Sequence, residues 1–105
     1  AFLLSVSFFN CNLDLAVFIN LKLVGTKFKD CSLQQADFIE ADLSKSLFDN
    51  CNLKNTVFEN AILESVDFTT AYDFSFNPSS NKMKGAKFSK HNIQGLLYEH
   101  EIIIE

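Results

Sequence analysis

Three cysteines, Cys11, Cys31 and Cys51, stand twenty residues apart, and with His91 and His100 they are the side chains best suited to hold a metal, form a disulfide or act as nucleophiles. Zinc would need several such ligands converging on one ion at about 2.3 Å. Neither histidine has a second one within reach by spacing, and His100 lies between Glu99 and Glu101. The chain has no Gly-rich phosphate loop and no nucleophile elbow, and carboxylates such as Asp37, Glu40 and Asp42 read as solvated surface acids. No catalytic constellation emerges, so neither enzyme activity nor a cofactor or metal is expected. What the thiols do depends on the elements that hold them.

A large apolar residue falls on every fifth position from Leu3 to Phe68, alternating Leu and Phe throughout. Neither an amphipathic helix nor a flat strand keeps one face at that spacing, whereas a coil of short repeated units does. Two positions before each central residue the side chain is usually small, as at Cys11, Ala16, Thr26, Cys31, Ala36, Ala41 and Ser46, with Leu21 the bulky exception. The segments Ala36-Asp37-Phe38, Ala41-Asp42-Leu43 and Cys51-Asn52-Leu53 resemble the A(D/N)LXX unit of the pentapeptide-repeat family, over at least residues 1 to 73. The resemblance implies an all-β fold, a right-handed quadrilateral parallel β-helix. Four pentapeptides would make each coil, with central and small residues both pointing inward.

With four units per coil, residues twenty apart lie above one another. Phe8, Phe28, Phe48, Phe68 and Phe88 then form one column and Phe18, Phe38 and Phe58 another, with two columns of leucine beside them. Like side chains stacked at the inter-strand spacing of about 4.8 Å fill the interior without voids. The cysteines share one inward column, continued by Ala71 and, by arithmetic, His91. Thiols one rung apart leave the outer pair about 10 Å from each other, too far for one zinc ion. A disulfide needs β-carbons near 3.8 Å, closer than an in-register rung allows. They are expected to be small, buried, reduced thiols of a cytoplasmic protein.

Nearly half the residues, 48%, are apolar, but they are dispersed and no run approaches a membrane span. The chain starts without Met and in register with the repeat, as a fragment or trimmed chain would. More chain would then cover Phe2, Leu4, Phe9 and Leu15, which are apolar at outward positions of the first coil.

Residues 1–90 are expected to form the β-helix, with an irregular loop at about 74–81 around Pro78, the only proline. Met83, Ala86 and Phe88 resume the period. Residues 91–105 read as a cap or dimerisation segment. Ser89 would cap a short helix running to about His100, followed by a strand at Ile102-Ile103-Ile104. A similar tail in Qnr-type quinolone-resistance proteins covers the barrel end and joins two subunits. The resemblance therefore implies a homodimer through Ile93, Leu96, Leu97, Ile102, Ile103 and Ile104, with an intramolecular cap as the alternative.

Three positions of each pentapeptide point outward, and function is expected there. The chain carries a net charge of −4, but residues 30–73 hold nine acids against Lys45 and Lys54 alone. That balance disfavours direct binding of nucleic acid. An acidic surface suits a protein partner, and Asp37, Glu40, Asp42, Asp49, Glu59, Glu64 and Asp67 are its candidate residues. A second candidate surface is an apolar strip of Val17, Ile19, Ile39 and Val57. The resemblance implies a bacterial DNA mimic that occupies DNA gyrase or topoisomerase IV and so protects against quinolones. The alternative is a structural or interaction scaffold with another partner and no topoisomerase role.

Overall fold

Each regular pentapeptide contributes one outward-facing β-bridge, and every bridge among the described residues joins a residue to the one twenty positions later. In the computed structural model, which describes residues 7–96, three strands pair in parallel: β1 (Ser7–Phe9), β2 (Lys27–Lys29) and β3 (Leu47–Asp49). Their register sets Phe8 on Phe28 and Phe28 on Phe48, and the ladder continues through Asp67 to Lys87. Three further ladders of isolated bridges run alongside. They pass through Asn12, Ser32, Asn52 and Tyr72, through Val17, Asp37 and Val57, and through Lys22, Asp42, Ile62 and Lys82.

The columns expected from the sequence are present. Rings of Phe8, Phe28, Phe48, Phe68 and Phe88 stack at 4.9 to 5.3 Å and within 9° of parallel. Phe18, Phe38 and Phe58 stack at 4.9 and 5.2 Å, and the two columns meet edge to face. Offset stacking along a column and perpendicular contact across it both suit the ring quadrupole. Central residues from Leu23 to Phe68 and their small partners from Thr26 to Ala71 are buried. Leu3 and the rest of residues 1–6 lie outside the described residues, as do Leu97, His100 and the Ile102–Ile104 run.

Corners between bridges require a tight bend. At most corners the N–H of the next inward small residue bonds back to the central carbonyl, as from Ala16 to Leu13 (3.0 Å) and from Ala36 to Leu33 (3.0 Å), the corners leading to Cys11, Cys31, Cys51 and Ala61 being the exceptions. The residue before that donor has a positive φ, as type II turns demand at this position. Asn20, Asn55 and Gly25 take it at low cost, because a short polar side chain or none is tolerated there. Leu15 takes it too, with φ 65°, while 67% exposed.

The loop at 74–81 leaves the ladder without changing the register. Ile62 still pairs with Lys82, and Asp67 with Lys87. The excursion therefore replaces regular sides by a path of the same length. It contains a 3-10 turn (Pro78–Ser80) capped by the Asn77 side chain. Two aromatics of this irregular segment are buried, Phe74 and Phe76 at 4 and 5% exposure. Phe76 covers Phe58 with centroids 4.8 Å apart, taking over the column where Pro78 breaks the period. Asn81 pins the return, donating to the carbonyls of Phe58 and Asn77 and accepting the Ala61 N–H.

The helix expected from Ser89 to His100 appears as turns and a 3-10 helix (Ile93–Leu96), and the residues beyond are not described. The Asn92 amide explains the tighter path: it reaches the Phe68 and Ala71 carbonyls of the coil beneath, 2.8 and 3.0 Å away. His91 consequently lies exposed rather than inward above Ala71. Leu96 is buried and Ile93 partly buried against the core.

The inward small position carries a second pattern. Ser46 Oγ donates to the Leu23 carbonyl (2.9 Å), Thr56 Oγ1 to Leu33 (2.7 Å), Cys51 Sγ to Phe28 (3.2 Å) and Cys31 Sγ to Phe8 (3.4 Å). Each donor thus satisfies a central carbonyl one coil below, which is why a buried hydroxyl or thiol is accepted beside a Phe or Leu column. All three cysteines are free, with Cys51 and Cys31 buried and Cys11 half-buried. Burial raises the Cys31 thiol, and pushes Cys51 up to about 12, with the neighbouring Cys31 and Asp49 charges adding to the rise.

Three outcomes follow from this packing. Leu15→Asn should stabilise the protein by about 0.5–1 kcal/mol in urea unfolding, because it relieves a left-handed aliphatic residue at an exposed site. A thiol reagent at neutral pH should label Cys11 first, and all three cysteines only in denaturant. Since the folded Cys51 thiol titrates near 12 and an unfolded one near 9, stability should fall as pH rises through that window. Cys51→Ala should flatten that fall, and an unaltered pH profile would contradict it.

Candidate functional site

Outward side chains sort into four vertical rows of pentapeptides, and charge is distributed unequally among them. The row of 22–25, 42–45, 62–65 and 82–85 carries Lys22, Lys45, Lys82 and Lys84 beside Asp42 and Glu64. The row of 27–30, 47–50, 67–70 and 87–90 carries Lys27, Lys29, Lys87 and Lys90 beside Asp30, Asp49 and Asp67. Asp14 and Lys54 share the row that ends at Tyr72. The remaining row, 17–20, 37–40 and 57–60, has Asp37, Glu40 and Glu59 and no lysine at all.

That cation-free row is also the apolar one. Val17 is 65% exposed, Ile19 44% and Val57 38%, and Ile39 is half-buried. The bridge ladder places Asp37 directly between Val17 and Val57, so the strip is a row of aliphatic side chains with a carboxylate set into it. Glu40 and Glu59 are exposed on the same row, and their backbones are joined by the Glu40 N–H to Glu59 carbonyl bond (2.9 Å). The apolar and acidic candidates, read separately in the sequence, therefore coincide on one face. Asp42, Asp49, Glu64 and Asp67 do not join them. They belong to the two lysine-bearing rows.

The candidate acids also differ in how free they are. Asp37 Oδ1 accepts the Ile39 N–H (3.0 Å), Asp42 Oδ1 the Ser44 N–H and hydroxyl (3.1 and 2.6 Å), and Asp67 Oδ1 the Thr69 N–H and hydroxyl (2.9 and 2.7 Å). Asn12 and Asn52 do the same for Asp14 and Lys54. This is the Asx turn, which explains why Asp or Asn precedes the central residue. Asp49 accepts from the Thr70 hydroxyl (3.0 Å). Glu40 and Glu59 make no such side-chain bond among the described residues, so both keep a whole carboxylate for a partner. Spacing alone did not separate these groups, although the Asx position is recognisable once the turn is known.

Among the described residues no cluster of three or more His, Cys, Asp or Glu side chains is grouped to hold a metal ion, and no helix is long and apolar enough to cross a membrane. Ile93 and Leu96 of the expected dimer surface pack on the chain's own core, and Leu97 and Ile102 to Ile104 lie outside the described residues.

Comparison with known proteins gives this architecture its relatives. A family model described as a pentapeptide repeat region matches residues 1–72. No curated protein matches the sequence. Among solved structures, the pentapeptide repeat protein Rfr23 from the cyanobacterium Cyanothece 51142 is 26% identical with a TM-score of 0.55. The alignment covers 88% of this chain and 63% of that one, so the chain spans less than two thirds of that relative. QnrB1, a plasmid-mediated fluoroquinolone resistance protein, is 16% identical over 90% of this chain and 42% of its own, with a TM-score of 0.44. HetL from Nostoc sp. strain PCC 7120, involved in heterocyst differentiation regulation, is 14% identical over 85% of this chain and 46% of its own, with a TM-score of 0.46. Repeat, inward columns and family match agree: the chain belongs to the pentapeptide repeat family.

Proposed function

We propose that the protein is a non-enzymatic, cytoplasmic bacterial scaffold, a right-handed four-sided β-helix that engages a protein partner through its cation-free face. The observation that carries this reading is the coincidence on one row of exposed Val17, Ile19 and Val57 with the unengaged carboxylates of Glu40 and Glu59. Such a face suits a partner with aliphatic residues framed by lysine or arginine. A DNA-binding surface supplies the lysine and arginine for the acidic members of this face, which makes DNA gyrase and topoisomerase IV specific candidates, with quinolone protection as the consequence. Rod-wide mimicry of a duplex is less well supported, because eight lysines occupy two of the other rows. A scaffold for a different basic partner uses the same face.

A supercoiling assay with gyrase, with and without a quinolone, tests the specific candidate. The wild type should alter supercoiling, and a D37K/E40K/E59K variant should need about 10-fold more protein for the same effect, each exposed charge contributing up to about 1 kcal/mol. A wild type without effect removes gyrase. Retention of any partner equally by wild type and variant refutes the face itself. The same reading takes residues 97–105 as the joint between two copies. Deleting them should give a monomer in sedimentation, and an unchanged mass would leave the tail as a cap only.

A further inference from the structure

Three of the four ladders carry four rungs or more, but the one through Val17, Asp37 and Val57 stops at its third. Its next rung would fall at residue 77, inside the excursion that leaves the coil. What that rung would have done is visible one and two coils below. Asp37 gives its N–H to the Ala16 carbonyl (2.9 Å) and takes the Phe18 N–H (2.7 Å), and Val57 repeats this with Ala36 and Phe38 (both 2.9 Å). The corresponding groups at the top are the Thr56 carbonyl and the Phe58 N–H. Neither makes a backbone bond among the described residues. A parallel edge with one acceptor and one donor facing outward is a template for another strand.

Beside this edge lies an open groove of about 430 Å³, with Val57, Phe58 and Glu59 on one wall and Ser75, Phe76 and Asn77 on the other. Phe76 already fills the inward site over Phe58, so a chain entering the groove meets a finished core. No lysine lies on the row below, and Glu59 stands at the groove itself.

We infer that this edge binds an extended segment of a partner protein, added as the missing rung above Val57. Its bridging residue donates N–H to the Thr56 carbonyl and accepts the Phe58 N–H, as Val57 does one coil lower. That residue is β-branched and aliphatic, because its side chain continues the row from Val17 to Val57. Two residues later the segment turns outward, because the Ser80 carbonyl already takes the Asn60 N–H (2.7 Å) where the rung would continue, and there it carries lysine or arginine against Glu59. The residue between is small, because its side chain points at Phe76. The inference deepens the reading of this face as a partner surface and rests on it.

The test uses the whole chain, labelled with nitrogen-15, and the peptide acetyl-Ala-Val-Ala-Lys-Ala-amide. Saturable amide shifts confined to residues 55–59 and 75–77 are expected. Replacing the peptide Lys by Glu should weaken binding about 5-fold, and N-methylating its Val, which removes the donor to Thr56, should abolish the shifts. Glu59→Lys should reverse the preference between the two charged peptides. No shift at these residues at millimolar peptide, equal binding of the N-methylated peptide, or an unchanged preference in Glu59→Lys would each overturn the inference. Ile19→Asp, which damages the lower strip but not the groove, should leave peptide binding intact, so that a failure of the face and a failure of the groove are read separately.

Discussion

A translation of one rung for every twenty residues governs this molecule. Because parallel bridges pair residue with residue at that interval, each side chain lies over its own counterpart, and each column must be chemically self-compatible. Phe over Phe and Leu over Leu satisfy this by dispersion and ring offset. Hydroxyl and thiol groups satisfy it differently, by reaching down to the carbonyl of the central residue one coil below. The same interval that stacks the apolar columns thus supplies Ser46, Thr56, Cys31 and Cys51 with an acceptor, whereas the buried Thr26 hydroxyl has no partner among the described residues. A buried Ser46 or Thr56 in a core of aromatic rings is stable because the backbone of the coil beneath was left one lone pair to give.

Function is confined by the same rule. Inward columns are occupied by the core, and the outward side chains of Asn12, Asp37, Asp42, Asn52 and Asp67 are occupied by Asx bonds at the turns. Charge counted along the chain suggested a uniformly acidic middle. Sorted by row, every row holds acids, whereas the row of Val17, Asp37 and Val57 holds no lysine. A partner approaching from one side meets a face quite unlike the one it would meet from the next.

Much of this was legible in the residues alone. The five-residue period gave the inward set, and the twenty-residue sum gave the columns, including Phe88 beyond the loop. The turn conformation was less visible, since a positive φ at Leu15 or Lys45 carries no mark in residue type. The fate of Phe74 and Phe76 was hidden for a different reason. A period detects only what repeats, and these two rings close the Phe columns where the repeat has stopped. Asn92 likewise settled the path of the last segment through a contact with a coil more than twenty residues earlier, which local helix periodicity cannot report. The candidate face required both sources: the sequence supplied its aliphatic and acidic members, and the ladder showed that they share one row.

The excursion at 74–81 has the length of the regular path it replaces, and this gives the fold something like a reading frame. Removing or adding five residues would leave every inward column filled, with Leu and Phe exchanged at worst, yet would shift all later residues onto the adjacent ladder. Lysines 82 and 84 would then stand over a different row, and the cation-free face would end or begin elsewhere. Core packing tolerates slips of five, whereas surface identity is conserved only in steps of twenty. Change in such a chain can therefore reshuffle its faces while the interior remains almost blind to the event.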